Sequence, residues 1–159
     1  PTDKTTDKML VEVHFYSPWN FCGMSKDETW GKMAYFWGTS YHYTTTIDDV
    51  DRNSTWGEEA YVDTEMAKMK SNYVDKGYPV VLGEYGTMKR TLNNTTAQTA
   101  HDTSRQYWYQ YVTKSAKQHG LIPFVWDANN ILNRKTLTID DSYALSGIKE
   151  GATQKQIYE

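Results

Sequence analysis

One carboxylate stands at the end of an apolar run. Glu84 directly follows residues 79–83 (PVVLG), and a second glycine, Gly86, comes two positions later. Glycine allows a backbone or a ligand to approach closely, and a carboxylate in such a place could act as a nucleophile or as an acid–base group. The simpler interpretation, that Glu84 ends a strand and meets solvent, stays open because Glu is normally exposed.

Two polar rings share one side of another apolar segment. Residues 9–16 (MLVEVHFY) predict a strand, and His14 and Tyr16 are two positions apart in it, so their side chains point to the same side. A Tyr hydroxyl can donate to a carboxylate and keep it ionised. The pair therefore indicates a lined cleft, although a His and a Tyr satisfied within the core would give the same pattern.

Aromatic residues are abundant, with 6 Trp and 13 Tyr among 159 residues. An indole or phenol face stacks well on the apolar face of a sugar, although aromatic residues also fill cores. Trp126 ends a third apolar run, where it could form the floor of a sugar site or belong to the core. Trp19, Trp30 and Trp37 lie in a long irregular segment, and we expect some of them to stack on substrate. Asn20, in the same segment, is a further candidate for a substrate contact.

Metal binding has little support in the sequence. Asp49, Asp51 and Asn53 imitate the start of a calcium loop, but Ser54 stands where Gly is needed and Ala60 where the bidentate Glu belongs. The histidines show no metal-ligand spacing. We therefore predict a solvated loop and no metal site.

Composition excludes two classes of partner. The net charge is -3 with no basic block, which argues against nucleic acid. No run of about 20 apolar residues exists, so no membrane-spanning segment is predicted. The single Cys22 has no internal partner for a disulfide. The chain begins at Pro1 without a signal peptide, which we interpret as processing or excision of a longer sequence.

Short apolar strands alternate with amphipathic helices, which predicts an α/β fold of parallel βαβ units with right-handed crossovers. The predicted strands cover residues 9–16, 79–83 and 121–126, and the predicted helices cover 55–76, 100–119 and 139–151. Residues 55–58 (TWGE) have the spacing of a capping box. Glu84 and Trp126 then lie at the carboxyl ends of strands, which is the rim where (β/α) barrels carry out chemistry.

Three motifs, taken together and in order, resemble glycoside hydrolase family 5. Residues 11–21 (VEVHFYSPWNF) resemble its sixth barrel strand, residues 80–86 (VVLGEYG) its seventh, and residues 124–127 (FVWD) its eighth. The first motif is most similar to the bacterial endoglucanase and xyloglucanase branch. The resemblance implies that residues 1–159 form the carboxyl-terminal portion of a catalytic barrel, a partial (β/α)8 TIM barrel with about three βα units.

The resemblance also implies roles for the candidate residues. Glu84 would be the nucleophile of a retaining endo-β-1,4-glucanase acting on β-glucan. Tyr16 would hold and tune Glu84, His14 would line the subsite beside it, and Trp126 would stack under the sugar. Members of the family need no metal or organic cofactor, and we expect a secreted bacterial enzyme.

One part of the family pattern is missing. The family carries its acid/base Glu in an Asn-Glu pair on the fourth strand, and this sequence has no Asn-Glu dipeptide and no counterpart of the first five strands. Retaining hydrolysis uses two carboxyl groups about 5–5.5 Å apart. We therefore expect an amino-terminal half-barrel chain or a homo-oligomer to complete the fold, since open sheet edges invite pairing. The alternatives are an inactive fragment that self-associates and at most binds glucan, and an inert α/β domain.

Overall fold

A three-stranded parallel sheet forms the centre of the molecule. The computed structural model describes residues 5, 7–153 and 155, so most of the polar segment predicted at residues 1–8 lies outside the described residues. The strands, in their order across the sheet, are β1 (Val11–Phe15), β2 (Val80–Tyr85) and β3 (Leu121–Pro123). The predicted parallel α/β arrangement is confirmed.

Helices connect the strands and follow the last one. They are α1 (Trp19–Cys22), α2 (Glu59–Asn72) with a 3-10 turn at Val74–Lys76, α3 (Thr95–Gln118) and α4 (Ser142–Ala152). A small antiparallel hairpin of β4 (Leu132–Asn133) and β5 (Thr138–Ile139) precedes α4. Nothing in the sequence predicts this hairpin, because each of its strands has only two residues.

The pairing of β1 with β2 is interrupted by a bulge. Val13 pairs with Leu82, but His14 pairs with Glu84, so Gly83 is left as an extra residue. A bulge of this kind reverses the alternation of side chains beyond it. Without it, Glu84 would point to the same side as Leu82; with it, Glu84 points to the same side as His14.

The two faces of the sheet differ sharply in burial. The outer face packs against the helices, where Val80, Leu82 and Leu121 have no accessible surface. The inner face carries His14 and Glu84 and is uncovered, with Phe124 56% exposed at its edge. Helix burial agrees with the sequence pattern, since Val62 and Met66 are the buried residues of α2.

The capping box predicted at residues 55–58 does not form, and α2 begins at Glu59, four residues after the predicted start. Glu58 occupies the position before α2 but makes no capping hydrogen bond there. Its carboxylate instead accepts a hydrogen bond from the Gly38 backbone at 3.0 Å and lies 2.6 Å from Nε2 of His42, tying the long loop to the helix. The helix ends at Asn72, short of the predicted residue 76, and Gly77 adopts φ 83° after the 3-10 turn.

Two further boundaries differ from the predictions. Helix α3 begins at Thr95, five residues before the predicted start, because the Asn94 side chain accepts a hydrogen bond from the Ala97 backbone. The third strand ends at Pro123, although the Phe124 and Trp126 backbone N–H groups still donate to β2. Pro123 has no N–H to donate, which suits its place on an edge strand.

Helix α4 begins at Ser142, three residues after the predicted start at residue 139. The Asp141 side chain caps it by accepting from the Ala144 backbone at 3.1 Å. Among the described residues, the longest helix is too polar to cross a bilayer, and none of the others qualifies.

Candidate active site

The carboxyl ends of β1 and β2 bring three of the candidate residues together. The Tyr16 hydroxyl donates a hydrogen bond of 2.9 Å to Oε2 of Glu84, and Nδ1 of His14 lies 3.4 Å from the same oxygen. Within the described part of the chain, Oε1 of Glu84 has no hydrogen-bond partner. One carboxylate oxygen is therefore held in place, and the other is free to contact a ligand.

The environment of Tyr16 keeps its hydroxyl protonated. Burial, and then the hydrogen bond to the Glu84 carboxylate, raise the pKa of Tyr16 well above its ordinary value. The phenol therefore stays a hydrogen-bond donor throughout the pH range in which proteins are stable.

A fourth polar side chain on the inner face, that of Glu12, was missed in the sequence analysis. Its Oε1 lies 3.2 Å from Nε2 of His14. The signal was present in the sequence, because Glu12 stands two positions before His14 in a strand and therefore on the same side. The ring of His14 thus lies between two carboxylates, those of Glu12 and Glu84.

The segment after Glu84 is fixed to the helices behind the sheet. The Thr87 backbone N–H donates to the Tyr109 hydroxyl at 3.2 Å, and Nε of Arg105 donates to Oγ1 of Thr87 at 3.0 Å. Arg105 in turn forms an ion pair of 2.7 Å with Asp141, and both side chains are 2% exposed. The chain leaving the rim of β2 is therefore anchored to α3 and to the start of α4.

Trp126 lies at the same rim. Its backbone N–H donates to the carbonyl of Tyr85, the residue after Glu84, at 3.0 Å. Its side chain is 52% exposed. The Trp126 residue is therefore exposed at the rim, and its stacking on a sugar stays a prediction. Gly86 next to it has space for a Cβ, whose nearest neighbour would be the Tyr109 hydroxyl at 3.5 Å.

A cavity of about 490 Å³ opens just beyond Tyr16, starting at Pro18. Two exposed indoles line it, those of Trp30 and Trp56, and the sequence analysis did not single out Trp56. Asn20 is also part of the lining, but its amide is already engaged. It donates to the Lys32 carbonyl at 2.7 Å and accepts from Nε1 of Trp56 at 3.2 Å. Asn20 therefore orients Trp56 within the cavity wall.

The two remaining tryptophan candidates differ. Trp19 is 49% exposed and lies over Gly23, where a Cβ would come within 2.2 Å of the indole. Trp37 has no accessible surface, and its Nε1 donates to the Gly57 carbonyl at 2.9 Å. The prediction that Trp37 contacts substrate is therefore wrong, because this indole belongs to the core that links the long loop to α3.

Acidic and histidine side chains do not assemble into a metal site in the described residues: no group of three or more His, Cys, Asp or Glu is placed to hold an ion. The rim itself carries two carboxylates, a phenol, an imidazole and an exposed Trp.

The fold and the rim define part of an α/β barrel with the candidate residues at the carboxyl ends of parallel strands. The chain belongs to glycosyl hydrolase family 5, since the family's cellulase model matches residues 1–131. The resemblance seen in the three strand motifs is thereby confirmed.

Individual relatives agree with the family. The chain is 28% identical over 151 residues to endoglucanase A of Paenibacillus barcinonensis, covering 91% of this chain and 34% of that protein. It is 26% identical to the xyloglucan-specific endo-beta-1,4-glucanase BoGH5A of Bacteroides ovatus, covering 95% of this chain and 28% of that protein. The chain thus spans about a third of the length of these curated relatives.

A solved structure shows the same architecture. The xyloglucan-specific beta-1,4-glucanase XEG5B from a ruminal metagenomic library, in complex with XXLG, superposes with a TM-score of 0.81 at 34% identity. The match covers 94% of this chain and 40% of that one. The three βα units of this chain therefore correspond to part of a family 5 barrel.

Proposed function

We propose that the chain contributes the nucleophile side of a retaining endo-β-1,4-glucanase that acts on β-glucan polysaccharides. The observation that carries the proposal is the carboxylate of Glu84, with Oε2 held by Tyr16 and Oε1 free. In a retaining reaction, the free oxygen attacks the anomeric carbon while the glycosidic bond breaks and the leaving sugar oxygen takes a proton from the acid/base carboxyl group. Water, deprotonated by the same group, then hydrolyses the glycosyl-enzyme ester and releases the Glu84 carboxylate. Family membership and the endoglucanase and xyloglucanase names of its relatives support this assignment.

The residues around Glu84 have distinct parts in this proposal. Tyr16 holds the nucleophile in place, and His14 lines the subsite beside it. Trp126 gives the sugar a stacking surface, and Trp19 is a further exposed candidate at the start of α1. The cavity beyond Tyr16, lined by Trp30, would receive a further sugar of the chain, because exposed indoles bind the apolar faces of pyranose rings.

The second catalytic carboxyl group would come from an amino-terminal half-barrel. That half would be either a separate partner chain or part of the same polypeptide. We call this chain together with that half the assembled barrel. The uncovered inner face supports it, since Phe124 and Trp126 are more than half exposed there. Large apolar side chains exposed together usually mark a surface that is covered in the working protein. We further propose that residues 1–159 act as one portion of the catalytic barrel, and that the enzyme is secreted to reach polymeric substrate.

The test compares two variants of the assembled barrel. Glu84→Gln keeps the shape of the side chain but is a far weaker nucleophile, so we expect turnover of β-glucan to fall by on the order of 10³-fold or more. Glu28→Gln, at an exposed carboxylate paired with Lys26, is the matched control and should leave turnover unchanged. Mass spectrometry after treatment with a 2-fluoro-glycoside should find the label on Glu84, and full activity of Glu84→Gln would refute the assignment.

A second candidate function is glucan binding without cleavage, in a self-associated fragment. The exposed indoles of Trp30 and Trp56 favour it, as does the absence of an Asn-Glu dipeptide from the sequence. The native mass of the chain and its activity on carboxymethyl cellulose separate the two candidates. An oligomer of identical chains that binds the polymer but releases no reducing ends would support this second function.

A further inference from the structure

The ring of His14 is held from both ends by acidic side chains. Nε2 lies 3.2 Å from Oε1 of Glu12, and Nδ1 lies 3.4 Å from Oε2 of Glu84. A carboxylate only accepts hydrogen bonds, so Nε2 must carry a proton to bond Glu12, and Nδ1 would need one as well to donate to Glu84. That bond leaves the Nδ1 edge of the ring directed at Glu84.

The position of Glu12 is itself determined by the bulge in β2. A Cβ added to Gly83 would lie 2.2 Å from Oε1, 2.8 Å from Cδ and 2.9 Å from Cγ of Glu12, so the glycine leaves the space that this side chain occupies. The backbone of Gly83 does not have the positive φ that would require glycine, in contrast to Gly77. Glu12 therefore occupies the space that a side chain at position 83 would take, and a larger residue there would push the Glu12 carboxylate aside.

We infer that Glu12 is a positioning residue for the proposed hydrolysis: in the space left by Gly83, it fixes the orientation of the His14 ring beside Glu84. This inference rests on the proposed function and deepens it. Exposed ion pairs usually contribute little, and the Glu12 side chain is 57% exposed. The contact between Glu12 and His14 differs from an incidental surface pair in one respect. The bulge in β2 places Gly83 beside Glu12 and leaves the space that the Glu12 side chain fills.

Four variants of the assembled barrel test the inference. Glu12→Ala removes the acceptor, and we expect kcat to fall about tenfold with KM within about twofold, because a loosened ring no longer supports the nucleophile. Glu12→Gln keeps an acceptor oxygen and should recover most of the rate. Gly83→Ala should lower kcat about as much as Glu12→Ala, since its methyl group displaces the Glu12 carboxylate.

The double variant Gly83→Ala/Glu12→Ala gives the sharpest result. With the carboxylate gone, the added methyl group has space, so the double variant should be no slower than either single variant. Such non-additivity is the signature of two residues acting through one contact. Additive losses, or Glu12→Ala with unchanged kcat, would overturn the inference.

A readout independent of activity is the ¹⁵N NMR spectrum of the histidine rings in this chain. The His14 ring should show a proton on Nε2, and it should become a mixture of tautomers in Glu12→Ala and in Gly83→Ala. His119, whose Nδ1 contacts the Ser115 carbonyl at 2.8 Å, is the internal control and should not change. If His14 responds but the assembled barrel cleaves no glucan, the proposed function fails while the positioning stands. If His14 does not respond, the positioning fails.

Discussion

The outer and inner faces of one small sheet follow different rules. On the outer face, Val80 and Leu82 alternate regularly and are fully buried against the helices. On the inner face, the regular alternation stops at Gly83, and the chain beyond it directs Glu84 toward His14. The outer face is packed on both sides of the bulge, with Tyr85 buried beyond it, whereas on the inner face the bulge places a charged group. The packed residues and the proposed catalytic residues thereby lie on opposite sides of the same three strands.

The largest expected effect is on the free energy of unfolding, and it compares Leu82 on the outer face with Val81 on the inner face. Leu82→Ala should destabilise the chain by roughly 2–5 kcal/mol, because it opens a cavity at a fully buried site. Val81→Ala, one position away on the inner face, is the matched control and should change stability by only about 0.5 kcal/mol. Urea unfolding measures both. An equal loss for Val81→Ala would mean that the inner face is covered in solution, as self-association of the chain requires.

The buried histidine of α3, His101, gives the next largest effect. His101 has no accessible surface; its Nδ1 lies 2.7 Å from the Tyr35 carbonyl, and its Nε2 accepts from the Arg90 backbone at 3.0 Å. Burial lowers the pKa of His101 to about 4, from 6.5 in an unfolded chain. The unfolded state therefore binds a proton first as the pH falls, and stability should drop by about 3 kcal/mol between pH 6.5 and pH 4.

This pH dependence is measured by unfolding at a series of pH values and by NMR titration of the His101 ring. His119→Gln is the control that should preserve the slope, since this ring is only partly buried at the end of α3. A ring of His101 that titrates near 6.5 in the folded chain would contradict the prediction.

Removal of the Tyr16 hydroxyl should have a smaller effect, which falls on the turnover rate and leaves stability nearly unchanged. Tyr16→Phe removes the donor to Oε2 of Glu84, and a hydrogen bond to a charged group is worth about 1.5–3 kcal/mol, so turnover by the assembled barrel should fall roughly tenfold or more. Tyr43→Phe, on a ring that stacks on Phe36 away from the rim, is the control. Unchanged turnover in Tyr16→Phe would remove this residue from the site.

The sequence predicts the outer face better than the inner one. Apolar runs and helical spacing identify the strands and the buried side of α2, because burial follows from side-chain type and period. The bulge at Gly83 leaves no such trace, since the extra residue becomes visible only when two strands are paired. Trp37 shows the converse error: an indole in a loop looks available for a sugar, but its burial depends on contacts with α3 and the Gly57 carbonyl that are distant in sequence.

The smallest expected effect concerns Asn94, a residue that lies near the rim but has no proposed part in the reaction. Asn94 caps α3 at the rim end of the sheet, where its side chain accepts from the Ala97 backbone at 2.9 Å. Asn94→Ala should lower the free energy of unfolding by about 1 kcal/mol, and Asn94→Asp should preserve it because Asp also caps helices. Neither change should alter kcat of the assembled barrel, since Asn94 contacts none of the inner-face residues. Asn93→Ala, at the exposed position before the cap, is the control and should have no effect on unfolding. A loss of turnover in Asn94→Ala, under conditions where the variant remains folded, would show that the loop after β2 takes part in the reaction.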